Sequence, residues 1–295
     1  MLYPDPKVSA WLRDHVVLYW SSERPVPQVS IDFGDGRLLR TTLGGNSVHL
    51  VLAADGSPVD ALPGLYAPAA FLARLQDAAR CADDYASGSA ERGMKVLANY
   101  HHQALLAEGK VLAGFGINSP PVLDEEGEWT AAAAQALTTR KSLVELPVLR
   151  AVGMVPTGAT TGDPSALPPF PITMLAMLTA GMPRLGELSP ESRGIIVWHL
   201  QSSGALPSGS PTLEEQAIAH VQVDLAQDTI IDEYALHAAI HRHRLGHPGE
   251  GMEALTAWIY RRVFRTPASD PWLGMRPAAW DGLEHREVVA ERAPR

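Results

Sequence analysis

The stretch that decides the fold reads GGNSVHLVLAADGSPVDALPGLYAPAAFLARL and spans residues 44–75. Within it, Asp55-Gly56 is a tight-turn signal between two strand-like runs, Val48 to Ala53 and Pro58 to Leu62. Both runs are short enough to be single strands, and the turn leaves no room for a crossover between them. The stretch therefore predicts an antiparallel hairpin with Asp55-Gly56 at its tip.

A helix is predicted directly after this hairpin. Pro63-Gly64 ends the second strand, and Ala67-Pro68 marks the helix start, because proline is favoured in the first turn. Strict alternation along the first strand places His49 and Val51 on one face and Leu50 on the other. We expect the Val51 face to be covered by this helix or by later helices, so that His49 needs a hydrogen-bond partner.

Working outward from this stretch, the N-terminal side is strand-like and the C-terminal side is helical. Strands are predicted at Val16 to Trp20, Val29 to Phe33 and Leu38 to Thr42, which with the hairpin make a meander of short strands. After about residue 80, apolar residues recur at helical spacing. Helices are predicted at Ala90 to Ala113, Glu128 to Leu146, Ser189 to Gln201, Thr212 to Arg244 and Glu250 to Phe264.

The composition excludes several classes of function. The net charge is -9, so the chain offers no broad positive field, and nucleic acid is not an expected partner. The longest apolar run, Ile172 to Met182, falls short of the roughly 20 residues that span a bilayer, and no membrane span is expected. The first residues show no secretory signal, which favours a cytoplasmic location unless a signal has been removed.

The chain has a single cysteine, Cys81. One cysteine excludes an intrachain disulfide, a CxxC redox pair and a cysteine-rich zinc site. Because Cys81 lies within a helical pattern, we interpret it as an inert, partly buried thiol. The protein is therefore not expected to be a dithiol–disulfide oxidoreductase.

Residues 44–75 resemble the closing strand–strand–helix portion of thioredoxin-like proteins. The resemblance implies an α+β fold in which a small thioredoxin-like sheet unit, residues 1–78, packs against a larger, mainly α-helical unit, residues 79–295. Through IDFGDGR, ALPGLYAP and TPASDPWLG, the whole chain also resembles an uncharacterised bacterial family, which supplies no activity to carry over.

The chain departs from the thioredoxin-like pattern at two places. The segment YWSSERP stands where the family carries its two thiols, and Asn46 with Ser47 stands where the family has a cis-proline before the strand. The first hypothesis is therefore a non-redox thioredoxin-like binding or accessory protein. Its partner, a protein or a small molecule, is left open by the sequence.

A second hypothesis comes from residues 220–247, HVQVDLAQDTIIDEYALHAAIHRHRLGH, which hold five of the eleven histidines on one predicted helix. Glu233, His237 and His241 follow each other at intervals of four, and at about 100° per residue they share one face of the helix. Neutral imidazole with a carboxylate is a usual ligand set for a divalent transition metal such as zinc or iron. These residues therefore predict a metal site between helices, and with it a metal-dependent enzyme.

Other residues are candidates to complete this site. Glu145 lies in the apolar run LVELPVL, where an unpaired carboxylate is costly to bury. An ion pair with Lys141, four residues earlier, explains Glu145 equally well. His199 follows the apolar run from Ile195 to Trp198 and is expected to be buried, which makes it a further candidate.

The competing interpretation of the histidine-rich helix needs no metal. The ExxxH spacing is neither the ExxH of di-iron bundles nor the HExxH of zinc hydrolases. Histidines near the end of a helix also interact favourably with its dipole, which accounts for His241, His243 and His247 as surface residues. Both interpretations stay open on the sequence alone.

Overall fold

The computed structural model describes residues 2–22, 28–32, 34–36, 38–42, 46–118, 121, 123, 141, 170–202 and 206–266. Over these residues the protein is mainly helical with small antiparallel sheets, and the predicted α+β class is confirmed. No helix in these ranges is long and apolar enough to cross a bilayer.

The described elements follow the chain in a simple order. They are α1 (Pro6–His15), β1 (Gln28–Asp32), β2 (Leu38–Thr42), β3 (Val48–Leu52), β4 (Pro58–Pro63), α2 (Pro68–Ala86), α3 (Ala90–Gly114), α4 (Ile172–Gly181), α5 (Pro190–Ser202), α6 (Pro211–Ile231), α7 (Ala238–Gly246) and α8 (Met252–Trp258). A 3₁₀ turn, Pro183–Gly186, follows α4. A π-helical segment, Asp232–His237, joins α6 to α7, and a second, Ile259–Val263, continues α8.

The predicted hairpin is confirmed. Strands β3 and β4 pair antiparallel, with Leu50 opposite Ala61 and with Asp55-Gly56 in the connecting turn. His49 Nε2 lies 2.7 Å from the hydroxyl of Tyr3, and the His49 ring contacts that of Phe71 in α2. The side of the hairpin that carries His49 is therefore covered by helix α2, and the expected hydrogen-bond partner is Tyr3.

The N-terminal prediction is partly wrong. Strands β1 and β2 occur as expected, but they form a two-stranded sheet of their own and do not join the hairpin in one meander. Val16 to Trp20 is neither strand nor helix, and its Trp20 side chain is exposed. Helix α1 was missed, although Asp5 caps it by accepting hydrogen bonds from the backbone of Lys7 and Val8.

The helical predictions within the described residues are confirmed to within a few residues. Helix α3 matches Ala90 to Ala113, and α5 matches Ser189 to Gln201. The long helix expected over Thr212 to Arg244 is present as α6, the first π-helical segment and α7. The helix predicted at Glu128 to Leu146 lies outside the described residues, apart from Lys141.

Strand β4 is the element that brings the hairpin to the helical core. All six of its residues are buried, and its exit approaches the π-helical segment so closely that a Cβ on Gly64 would overlap the Asp232 carboxylate. Two backbone amides secure this approach: Leu65 N donates to Asp232 Oδ2 at 2.6 Å, and Ala67 N donates to Thr229 Oγ1 at 2.9 Å. The approach carries Asp60, in the middle of β4, into the helical core.

Gly64→Ala is expected to destabilise the protein much more than Gly56→Ala. Both glycines have positive φ, at 80° and 84°, so each variant incurs the left-handed strain of about 1–2 kcal/mol. Only at Gly64 does the added methyl also meet the Asp232 side chain, whereas nothing lies within 4 Å at Gly56. Thermal unfolding of the two variants measures the difference, and equal melting temperatures would contradict the close approach.

Candidate metal centre

Six ionisable side chains meet in the interior between β4, α3, the first π-helical segment and α7. None of them is more than 8% exposed. We call this group the buried cluster, and its members are Asp60, His101, Glu108, Glu233, His237 and His241. So many ionisable groups are rarely buried together unless they pair or bind an ion.

Helix α3 supplies two of the six members, and the continuous helix made of the first π-helical segment and α7 supplies three. On α3, His101 and Glu108 are seven residues apart, so they lie two turns apart on the same face as the buried Leu97 and Leu112. His102 points away and is exposed, as expected from its neighbouring position. The other three come from the π-helical segment and α7. A π-helical turn is wider than an α-helical turn and is frequent at functional sites. Here the π-helical segment carries Glu233 and His237.

Asp60 and His237 form the central ion pair. His237 Nε2 lies 2.9 Å from Asp60 Oδ1, and Tyr100 donates to Asp60 Oδ2 at 2.5 Å. Burial alone would raise the pKa of Asp60, but the charge of His237 holds that pKa well below its usual range. Burial alone would lower the pKa of His237, but the Asp60 carboxylate raises it to about 9. The pair is therefore ionised at neutral pH.

The buried carboxylates of Glu108 and Glu233 have fewer hydrogen-bond partners among the described residues than that of Asp60. Neither carboxylate oxygen of Glu108 has a hydrogen-bond partner among the described residues, and burial raises its pKa to about 8. Glu233 Oε1 lies 3.4 Å from Arg74 Nε, whereas its Oε2 is buried and has no hydrogen bond within the described part of the chain. Burial raises the pKa of Glu233 as well, against the opposing charge of Arg74.

His101 and His241 face each other. Their Nδ1 atoms are 2.8 Å apart, so one nitrogen carries the proton and the other accepts it. Burial lowers the pKa of both rings, that of His101 to about 4. Both rings are therefore neutral at neutral pH, and the ring that donates the shared proton keeps a free lone pair on Nε2 that could bind a metal.

The cluster contains two overlapping groups of three metal-ligand candidates. One is Glu108, His237 and His241, and the other is Asp60, His101 and His241. In each group one ligand atom of every side chain lies within 4.8 Å of the other two, and all the members are buried. Glu233 belongs to neither group, but its negative charge raises the pKa of both Glu108 and His237.

The structure brings together three of the five residues that the sequence singled out, Glu233, His237 and His241. The interpretation of His241 as a surface residue is wrong, because it is only 1% exposed. His199 was expected to be buried, but it is exposed on α5 beside Trp198 and is not part of the cluster. Glu145 lies outside the described residues.

Two further expectations concern residues near the cluster. Lys141 is buried and its ammonium donates to Ser47 Oγ at 2.9 Å, whereas its predicted ion-pair partner Glu145 lies outside the described residues. Cys81 is buried, and burial raises the pKa of its thiol to about 12. A protonated, buried thiol agrees with the expected inertness of Cys81.

Sequence reasoning missed Asp60, His101 and Glu108. Asp60 stands within the apolar run PVDALP, the same signal that pointed to Glu145. His101 and Glu108 repeat at two helical turns within an otherwise apolar stripe, a spacing that would have placed them on the buried face of α3. Neither signal shows by itself which other helix they meet.

Comparison with protein-family models, with curated proteins and with solved structures finds no significant match for this chain. The geometry of the buried cluster therefore carries the functional argument.

Proposed function

We propose that the protein is a metal-dependent enzyme whose buried cluster binds a divalent transition metal, zinc or iron, through Glu108, His237 and His241. One observation carries the proposal: these three side chains converge, and two of them present buried atoms that have no hydrogen-bond partner among the described residues. Both oxygens of Glu108 and the Nδ1 of His237 are buried and make no hydrogen bond to any described residue. A bound cation would satisfy these atoms together.

The spacing of the ligand atoms suits a small metal ion. Glu108 Oε1 lies 3.5 Å from His241 Nε2. Two ligands, each about 2.0–2.2 Å from a tetrahedral zinc ion, are about 3.4 Å apart. This pair of atoms therefore needs almost no movement to bind the same ion, and the ordering cost of binding is correspondingly small.

The two histidines are also held as metal ligands usually are. A ligating histidine typically gives its other ring nitrogen to a carboxylate or another acceptor, which sets its orientation and tautomer. His237 uses Nε2 toward Asp60, which leaves Nδ1, a buried atom without a hydrogen bond to any described residue, as its nitrogen for the ion. His241 uses Nδ1 toward His101 and so directs Nε2 toward Glu108.

One divalent ion would also neutralise the cluster. Glu233 is compensated by Arg74 at 3.4 Å, which leaves Asp60 and Glu108 as two negative charges when His237 is neutral and bound to the metal. Two carboxylates and one divalent cation sum to zero, and buried charge is tolerated when it is balanced in this way. Without an ion, Glu108 has to keep its proton.

The proposed chemistry follows from the number of ligands. Three protein ligands leave at least one position for water or substrate, the arrangement of catalytic rather than structural zinc sites, and two histidines with one carboxylate also suit non-haem iron. The ion would act as a Lewis acid and lower the pKa of a bound water. Glu233, next to the ligands and with a free carboxylate oxygen, is the candidate general base.

Cobalt substitution tests the proposal. We expect the metal-free protein to bind Co(II) with the intense visible absorption of a low-coordinate site, to bind zinc competitively, and to change its spectrum on addition of azide. His199→Ala is the matched control, because His199 is an exposed histidine outside the cluster, and it should bind the same amount of metal. Failure to bind Co(II) or zinc would overturn the proposal. Binding without any response to azide would leave a closed structural site and overturn the enzymatic role.

The accessory-protein hypothesis stays a prediction. The segment that carries the thioredoxin-like resemblance contains β4, and β4 is buried along its whole length between α2 and the π-helical segment. Asp60 of that strand belongs to the buried cluster, which is why we prefer the metal site as the functional centre. A partner captured equally well by wild type and by a metal-free cluster variant would favour the accessory role.

A further inference from the structure

We propose that the buried cluster has a second metal position, formed by Asp60, His101 and His241, and that the His241 ring bridges the two ions. The inference rests on the proposed function, since it adds a second ion to the site described there. It comes from the orientation of one ring, because the two candidate ligand groups share only His241.

The two groups lie on opposite edges of this ring. On the Nδ1 edge, His101 Nδ1 is 2.8 Å away and Asp60 Oδ1 is 3.9 Å away. On the Nε2 edge, Glu108 Oε1 is 3.5 Å away. The lone pairs of the two ring nitrogens point away from each other, so one ion cannot use both edges. The two groups are therefore two separate positions.

The spacing on the Nδ1 edge fits a shared ion. Two ligands about 2.1 Å from one ion and at right angles to each other are about 3 Å apart, close to the observed separation of the two Nδ1 atoms. One carboxylate oxygen of Asp60 lies within 4.8 Å of a ring nitrogen of each histidine. Oδ1 already accepts two hydrogen bonds, from Ala61 N and His237 Nε2, whereas Oδ2 accepts one, from Tyr100, and keeps a second lone pair.

The His101 atom that faces this edge is Nδ1, which shares one proton with His241 Nδ1, whereas the unpaired Nε2 of the buried His101 ring lies on its far edge. A bridging His241 carries no proton on either nitrogen. The neutral ring binds the first ion through its free lone pair, and the second ion displaces the remaining N–H proton, which leaves to solvent. Both bonds are then metal–nitrogen bonds to one imidazolate.

The two ions are expected to bind in sequence. The first is neutralised by Asp60 and Glu108, whereas the second adds its charge to a site that already holds a cation, and like charges in a buried site repel strongly. The first equivalent of metal should therefore bind more tightly than the second. Copper is a suitable probe, because it binds imidazole ligands most tightly among the divalent ions of the first transition row.

Titration with Cu(II), followed by metal analysis and electron paramagnetic resonance, tests the inference. We expect two copper ions per chain, with the resonance intensity falling when the second binds, because an imidazolate bridge couples the two spins antiferromagnetically. His101→Ala should bind one ion with a full, uncoupled signal. The wild-type coupling needs no variant, so the test stands even if His101→Ala folds poorly.

The remaining outcomes separate the two proposals. One copper ion per chain, bound equally by wild type and His101→Ala, would overturn the second position and leave the first intact. Two ions with full, uncoupled intensity would overturn the bridge. No bound ion at all would overturn the proposed function, and the second position with it.

Discussion

Replacing His241 with alanine is expected to abolish metal binding throughout the buried cluster. His241 is the only member of both ligand groups, with Glu108 on one edge of its ring and His101 on the other. Loss of an outer-shell partner alone costs 10–100-fold in affinity, so loss of this ligand should cost more than about 100-fold. Competition titration with a zinc-binding dye measures the change.

Two variants keep the His241 result interpretable. Removing a buried ring leaves a cavity worth about 2–5 kcal/mol, so His241→Ala must be shown to be folded by circular dichroism before its affinity is read. His241→Phe keeps the ring volume and removes both nitrogens, and it should lose metal to the same extent. His199→Ala should bind as wild type does. Undiminished zinc affinity in a folded His241→Phe variant would contradict the assignment of this ligand.

Asp60→Asn is expected to lower the stability of the metal-free protein by about 3–5 kcal/mol. The Asp60 carboxylate is fully buried, compensates the charge of His237 at 2.9 Å and accepts the Tyr100 hydroxyl. Neutral asparagine leaves the imidazolium buried without its counter-charge, and the pKa of His237 should fall from about 9. Urea denaturation in the presence of a chelator measures the stability, and the His237 ring proton resonances report its pKa.

The pH dependence of this difference has a definite sign. The pKa of His237 is raised, so the stabilisation is complete below its ordinary value of 6.5 and is lost as the pH rises through about 9. The pKa of Asp60 is lowered, so its contribution is present above its ordinary value of 3.8 and is lost as the pH falls below that. The two proteins should therefore differ most between pH 4 and 6.5 and least above pH 9.

Asp83→Asn is the matched control for Asp60→Asn. Asp83 lies on the exposed side of α2, so removing its charge should change stability by no more than about 0.5 kcal/mol. If the difference in the free energy of unfolding between wild type and Asp60→Asn stays constant from pH 5 to pH 10, the Asp60–His237 ion pair does not stabilise the fold.

Local chemistry determined the parts of the fold that could be predicted. The hairpin around Asp55-Gly56 was predictable because a short turn between two strand-like runs requires antiparallel strands, although the register also contains a shift between Val51 and Leu52. Helix α3 was predictable because its apolar stripe repeats over seven turns. Val16 to Trp20 has the composition of a strand but not the conformation, since strand formation depends on pairing with another strand, which local composition does not specify.

The candidate site was only half predictable. Glu233, His237 and His241 share one helix, so their common face follows from helical spacing alone. Asp60, His101 and Glu108 come from two other elements, and their approach to that face depends on how β4 and α3 pack against it. The interval between two residues in the chain carries no information about contacts between residues 177 positions apart, such as Asp60 and His237.

By itself, the amino-acid sequence determined the hairpin and most helices in the described residues, the lack of dithiol chemistry and the shared face of three metal-ligand candidates. Only the tertiary structure decided that this face is buried. His199 and His241 both lie beside apolar residues in the sequence, yet His199 is exposed and His241 is buried. The reason is that periodicity defines a helix's faces, whereas burial depends on which face meets another element, and here β4 and α3 cover the face that carries His237 and His241.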